Sequence, residues 1–246
     1  MQQPPTGVMD SSLPSLSPLG SVGQTGPMSD SAGVTTENST VDQWTGALGE
    51  SVGSPGGGAG AGVMLSIAAS LTSMTAGYTD AEPDRQDELN DIIARARHLR
   101  HIALQLADDD ASASHAFGAA FKQPRGKERD EAIRKASLGA AESSFTVGER
   151  AIEAIDDLAW LAEHGNPSLI ADVVVAFGSL RAAITGARTN LSFDLATLRS
   201  AGSTLEEVRG QHPELWTTVQ RFESAMGRID AAMASVDERA APTESF

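Results

Sequence analysis

The stretch Leu89 to Ala120, LNDIIARARHLRHIALQLADDDASASHAFGAA, decides the fold. Leu89, Ile92, Ala96, Leu99, Ala103, Leu106, Asp110, Ala113, Phe117 and Ala120 follow one another in steps of three and four. That spacing puts them all on one face of an α-helix. A seam this long and regular needs other apolar surface laid along it, which predicts helix packed on helix.

The same periodicity extends in both directions. Pro83 and Asp84 mark the start of the seam helix, with acidic residues in its first turn, and Pro124 and Gly126 mark its end. A helix over 128–163 carries Leu138, Ala141, Phe145, Gly148, Ile152, Ile155 and Ala159. In HGNPS, Asn166 suits an N-cap and Pro167 a first helical position. The next helix buries Leu169, Val173, Ala176, Leu180, Ile184, Ala187 and Leu191, and a last one over 213–237 runs from Leu215 to Val236. That last seam is apolar enough to require packing on the bundle or on a second subunit. Upstream, Val41, Trp44 and Leu48 predict one short amphipathic helix, Pro55 and the glycines break it, and a second helix fills about 59–77. No stretch reads as a strand. The expected fold is all-α, a bundle of about five to seven helices over residues 41–240.

Residues 1–40 are rich in Pro, Gly, Ser and Thr and bury too little apolar area to offset chain entropy. They are expected to form a disordered tail. The first basic residue is Arg85, so the positive n-region of a secretory signal is missing, and a cytoplasmic location is expected. The chain lacks cysteine, which excludes disulfides, thiolate metal sites and a cysteine nucleophile. Its formal charge of -15 argues against nucleic acid or an anionic membrane as the main partner.

The segment Ser51 to Thr79 contains no charged residue. It allows a linker, a membrane span or a ligand cradle. Its frequent Gly, Ser and Thr, and its acidic flanks Glu50 and Asp80, disfavour the span. Pro55, Gly56, Gly57 and Gly58 then stand at the start of a helix, where free backbone amides suit an anion or a carbonyl oxygen.

Asp110 interrupts an otherwise apolar seam. It either faces water in a loosened DDDASASH turn or is a buried acid, available for proton transfer or as counter-charge to a cation. Asp172 and Asn190 share a small, polar helix stripe with Ser179, Ala183 and Gly186, suited to close helix contact or to a ligand. They stand about 27 Å apart on a continuous helix, so they serve different parts of a ligand or different sites. His98 and His101 lie among Arg95, Arg97 and Arg100, a solvated basic face and a poor metal site, and His115 reads as an exposed or satisfied histidine. No metal or cofactor is expected. Neither a phosphate-binding P-loop nor a nucleophile elbow is present.

The order of these motifs resembles the cyclodeaminase/cyclohydrolase family: Pro55-Gly56-Gly57-Gly58, then Asp110, then Lys122-Gln123-Pro124, then Gly165-Asn166, then Asn190-Leu191. The resemblance spans about 41–200. It implies an all-helical, intertwined homodimer with a folate site at or near the subunit interface. It further implies that Asp110 and Lys122 are catalytic, and that Pro55, Gly56, Gly57, Gly58, Asn166, Asp172 and Asn190 bind substrate. Ala59 and Ala171 stand where the family usually has serine, and Ser114 where it often has an aromatic residue.

What the resemblance implies chemically is hydrolysis of 5,10-methenyltetrahydrofolate to 10-formyltetrahydrofolate, with the folate as substrate. Asp110 would stabilise the cationic amidinium-like carbon and handle its proton, and Lys122 would shuttle a proton or hold the glutamate tail. Removal of ammonia from formiminotetrahydrofolate uses the same carbon and the same acid–base needs. The lack of a formiminotransferase region upstream favours the cyclohydrolase. A non-catalytic folate-binding dimer of the same fold is the further alternative, motivated by Ala59, Ser114 and Ala171.

Overall fold

The computed structural model describes residues 33–51, 53–200 and 204–240. Among these are eight α-helices and no strand. They are α1 (Val41–Leu48), α2 (Gly57–Gly77), α3 (Gln86–Phe121), α4 (Lys127–Glu153), α5 (Ile155–His164), α6 (Ile170–Ser200), α7 (Leu205–Gln211) and α8 (Pro213–Ala240). A short 3-10 turn, Pro167–Leu169, leads into α6.

The uncharged helix α2 lies at the centre, packed against α3 on one side and α6 on the other. Its small residues permit this. A methyl group on Gly62 would overlap the side chain of Ala107 on α3, and Gly186 of α6 faces Ala61. Most of the hydroxyls that disfavoured a membrane span are satisfied along the helix itself, and Ser66 donates instead to the Arg100 carbonyl of α3 at 3.3 Å. Ser70, Thr72, Thr75 and Thr79 each donate to the carbonyl one turn back, at 2.7–2.9 Å. α2, with a mean hydropathy of 1.4, and the helical stretch Pro167–Leu198, with 1.6, are long and apolar enough to cross a membrane. Here both pack within the bundle.

α4 closes the bundle against α3 and α6, and α8 covers α6 and part of α4. The α8 seam packs as its periodicity requires: Phe222 and Ile229 are fully buried, and the Phe222 ring sits against Gly148, where a side chain would collide with it. The α3 seam is buried at Leu89, Ile92, Ala96, Ala103, Asp110 and Ala120.

Four expectations are corrected. The helix over 128–163 is two helices, because Ala154 (ψ -8°) breaks the ladder and its N–H donates to Ala151 in a tighter turn. α7 was not anticipated; Thr204 and Glu207 form its capping box, and it buries Val208. In α1 the buried residues are Trp44 and Ala47, while Val41 is 81% exposed. Finally, the expected tail 1–40 lies outside the described residues only as far as residue 32. Residues 33–40 rest on α3: the Thr36 N–H donates to Asp108 Oδ1 at 2.7 Å, and Trp44 Nε1 donates to Thr36 Oγ1 at 3.0 Å.

Candidate active site

Asp110 is a buried acid, 6% exposed, and does not face water. It lies where α3 passes the start of α2. Gly56 is the N-cap of α2, so the N–H groups of the first turn have no partner inside the helix. The Ala59 N–H and the Ser114 hydroxyl face the Asp110 carboxylate and draw its pKa down. Burial outweighs both and pushes it above the ordinary range. Its Oδ2 is buried without a hydrogen-bond partner. The turn before α2, which contains a cis Ser54–Pro55 peptide, is fixed to the same helix, as Ser54 Oγ donates to the Ala111 carbonyl at 3.0 Å.

Beside Asp110 opens a cavity of about 350 Å³. Its base is the glycine turn, Gly57 and Gly58. Ser114 and Phe117 of α3, Ser144 of α4 and Asn190 of α6 line it, and so does a second acid, Asp194. Asn190 and Asp194 stand four apart on α6, one turn along the same face. Asp194 is 7% exposed. Burial and then the neighbouring Asp110 charge push its carboxyl up to about 7. Among the described residues, no Lys, Arg or His lines the cavity. Its chemistry is that of a carboxyl pair at the positive end of a helix, fit to receive a cationic or proton-exchanging group.

The expected residues divide into two sets. Gly57, Gly58, Asp110 and Asn190 meet at this cavity, and Pro55 and Gly56 shape the turn that supports it. Asn166 and Asp172 do not reach it. Asn166 binds the far end of α2, a helix about 30 Å long. Its backbone N–H donates to Thr79 Oγ1 (3.1 Å), its Nδ2 to the Tyr78 carbonyl (3.0 Å), and its Oδ1 caps the Ser168 N–H (3.0 Å). Asp172 is half-buried near the start of α6. Lys122 does not meet Asp110 either. It is exposed at the C-cap of α3, twelve residues or about 18 Å along the helix. It follows the cavity residue Gly118 by four positions and does not itself line the cavity.

The departures at 59 and 114 also find a place. Ala59 is fully buried with Trp44 and Ala107, so its side chain belongs to the packing behind the turn and only its N–H faces the acid. Ser114 supplies a hydroxyl to Asp110 and leaves cavity volume open. His98, His101 and His115 are exposed, and no group of metal-ligating side chains occurs among the described residues. A smaller cavity of about 120 Å³ near Arg95 is lined by charges already paired, with Arg95 bonded to Asp157 at 2.8 Å and to Glu88 at 2.8 Å.

The model of the formiminotransferase-cyclodeaminase family matches residues 40–208. The chain belongs to that family. It is 25% identical, over 78% of its own length and 99% of the relative's, to a methenyltetrahydrofolate cyclohydrolase of Methylorubrum extorquens. Among solved structures it resembles the formiminotetrahydrofolate cyclodeaminase of Thermotoga maritima, with a TM-score of 0.68 and 22% identity, over 81% of this chain and 98% of that one. At that identity the structural likeness speaks for the fold. The family residue order thus coincides with the cavity at Gly57, Gly58, Asp110 and Asn190.

Asp194 was missed in the sequence. Its signal is the one that exposed Asp110: an acid inside a buried seam, here between Leu191 and Leu195 or Leu198, all buried. The motif Asn190-Leu191 drew attention to its own two residues and away from the next turn.

Proposed function

We propose that the protein hydrolyses 5,10-methenyltetrahydrofolate to 10-formyltetrahydrofolate, in the cytoplasm and as a homodimer. The observation that carries the reading is the Asp110 carboxylate, buried with one oxygen unpartnered beside a cavity without a cationic side chain. Such a site lacks positive charge, and the methenyl carbon, part of a cationic amidinium, brings it. Kinship with a cyclohydrolase over nearly that relative's whole length supports the same reading. Lys122, about three turns from Asp110 along α3, suits the anionic glutamate tail better than a proton shuttle.

Exposed apolar surface supports the dimer. α2 exposes Met64, Ile67, Met74 and Tyr78 along one stripe, and the adjacent α6 exposes Val175 and Phe193. A second copy laid across these helices by a two-fold axis would cover the stripes. It would also carry the end bearing Asn166 and Asp172 toward this cavity, reuniting the two sets.

The test follows the methenyl chromophore with purified protein. Acceleration over buffer, lost by at least about 10²-fold in Asp110→Asn, is the expected result. A folded protein that leaves the chromophore at the buffer rate overturns the reading. The second reading, formiminotetrahydrofolate cyclodeaminase, draws on the structural likeness and is decided by ammonia release from that substrate. Folate binding with neither turnover identifies a non-catalytic binding protein.

A further inference from the structure

Two acids without a cation between them pose a problem that one acid does not. Asp110 and Asp194 are each more than nine-tenths buried, and both line the same cavity. Asp110 Oδ2 has no hydrogen-bond partner. Among the described residues the other elements at the cavity bring no titrating group: the α2 turn contributes Gly57 and Gly58, α4 contributes Ala140 and Ser144, and the neighbours of the two acids on α3 and α6 are Ser114, Phe117, Gly118, Asn190 and Phe193. Two ionised carboxylates in such a place are costly, and a proton retained by one of them removes most of the cost. The Ala59 N–H, the positive end of α2 and the Ser114 hydroxyl all favour charge on Asp110. The proton therefore belongs to Asp194.

We propose that Asp194 is the acid partner of Asp110, the pair holding one proton that is delivered to the nitrogen released from the one-carbon unit. This rests on the hydrolysis proposed above. Water forms its C–O bond to the methenyl carbon and gives a proton to the Asp110 carboxylate, which leaves a neutral carbinolamine. Asp194 then protonates the departing ring nitrogen, and the carbon–nitrogen bond breaks with its electron pair on nitrogen. The carbinolamine hydroxyl becomes the formyl carbonyl and returns its proton to Asp194. Asp110 releases the water's first proton to solvent. One water is consumed, one proton is released, and nothing is oxidised. Environments that drive two carboxyls apart are the general means of making one a base and the other an acid. The burial of Asp194 and the charge of Asp110 raise its pKa to about 7, which keeps that proton available near neutrality.

Two measurements test the pair. The first is an infrared titration of the full chain without folate. The wild type should show a protonated-carboxyl C=O band that persists at pH 6 and fades as pH rises through about 7. The band should be missing in Asp194→Asn. Its absence from the wild type, or its persistence in that variant, overturns the pairing. The second is the pH–rate profile of methenyl hydrolysis. Asp194→Asn should lower kcat at least about 10²-fold with KM little changed, and should abolish the alkaline limb near neutrality. Asp194→Glu, which keeps a carboxyl, should retain part of the rate and the limb. A wild-type rate and profile in Asp194→Asn overturn the assigned step. A titrating band in a protein that turns over neither folate overturns the reaction, and with it the proton's destination, while the pairing stands.

Discussion

The carboxylate of Asp110 occupies the space that a side chain on Gly58 would fill. The two residues lie fifty-two positions apart on different helices, yet each constrains the other. Gly58 is second in α2, so the acid approaches the helix end closely enough to face the Ala59 N–H. The glycine triplet is thus partly a cradle for a protein carboxylate, which in turn faces the cavity.

Gly58→Ala should therefore damage function through Asp110. A methyl there must displace buried carboxylate oxygens, and overpacking of this kind costs about 1–3 kcal/mol. We expect that loss in chemical denaturation, together with a fall in kcat/KM of about 10²-fold or more. Gly60→Ala, with open space around its Cβ, is the control and should be near neutral in both. Wild-type behaviour of Gly58→Ala would contradict the contact.

Asp194 should give stability a particular pH dependence. Its pKa is about 7 in the folded chain against an ordinary 3.8. Between those values the folded state holds a proton that the unfolded state has released, so this contribution is full below about pH 4. It is lost as pH rises through about 7. Asp110, also raised by burial, acts with the same sign. Asp194→Asn removes the titration. We expect thermal midpoints close to the wild type at pH 4, and above it at pH 8, each kcal/mol being worth about 2–4 °C for a domain of this size. A difference that does not vary with pH would refute the assignment.

Phe222 tests whether α8 belongs to the core. It is fully buried, with its ring over Gly148 of α4. Phe222→Ala should cost about 3–5 kcal/mol in urea or guanidinium unfolding. A cost below about 1 kcal/mol would mean that α8 is an appendage.

The α2 stripe tests the assembly. Ile67 is 41% exposed in the single subunit, so a charge there is tolerable in a monomer. In a dimer closed over α2 it would be buried without a partner. Ile67→Glu should halve the mass measured by sedimentation equilibrium while leaving helical circular dichroism intact. A wild-type chain that sediments as a monomer at micromolar concentration would remove the dimer.

Helical seams were the most legible feature of the sequence, because a 3.6-residue period records burial directly. Leu89 to Ala120 and Leu215 to Val236 pack as their spacing requires. The break at Ala154 left no such mark, since the residue stays close to helical geometry and no proline or glycine signals it. α7 is short, and its sign was a capping box, not a seam. At the site, Asp110 stood out as an acid among apolar neighbours. Its fit to Gly58 and its company with Asp194 depend on which helices lie side by side, and no local pattern encodes that. Asn166 shows the opposite case. Its capping role was readable from Asn-Pro, but its distance from the cavity was not.

From Ser51 to Thr79 there is no charged residue. The helix that forms the base of the cavity therefore contributes shape and backbone polarity but no ionic charge. The electrostatic character of the pocket is held at two positions on two other helices. One of them, Asp110, is sterically locked to Gly58, whereas none of the described glycines closely faces Asp194, the freer site for change. With the proton on Asp194, a substitution there changes the pocket's proton supply and leaves in place the charge on Asp110 and the central helix. Shape and charge are inherited together through the Gly58–Asp110 contact, and proton supply alone can vary apart from them.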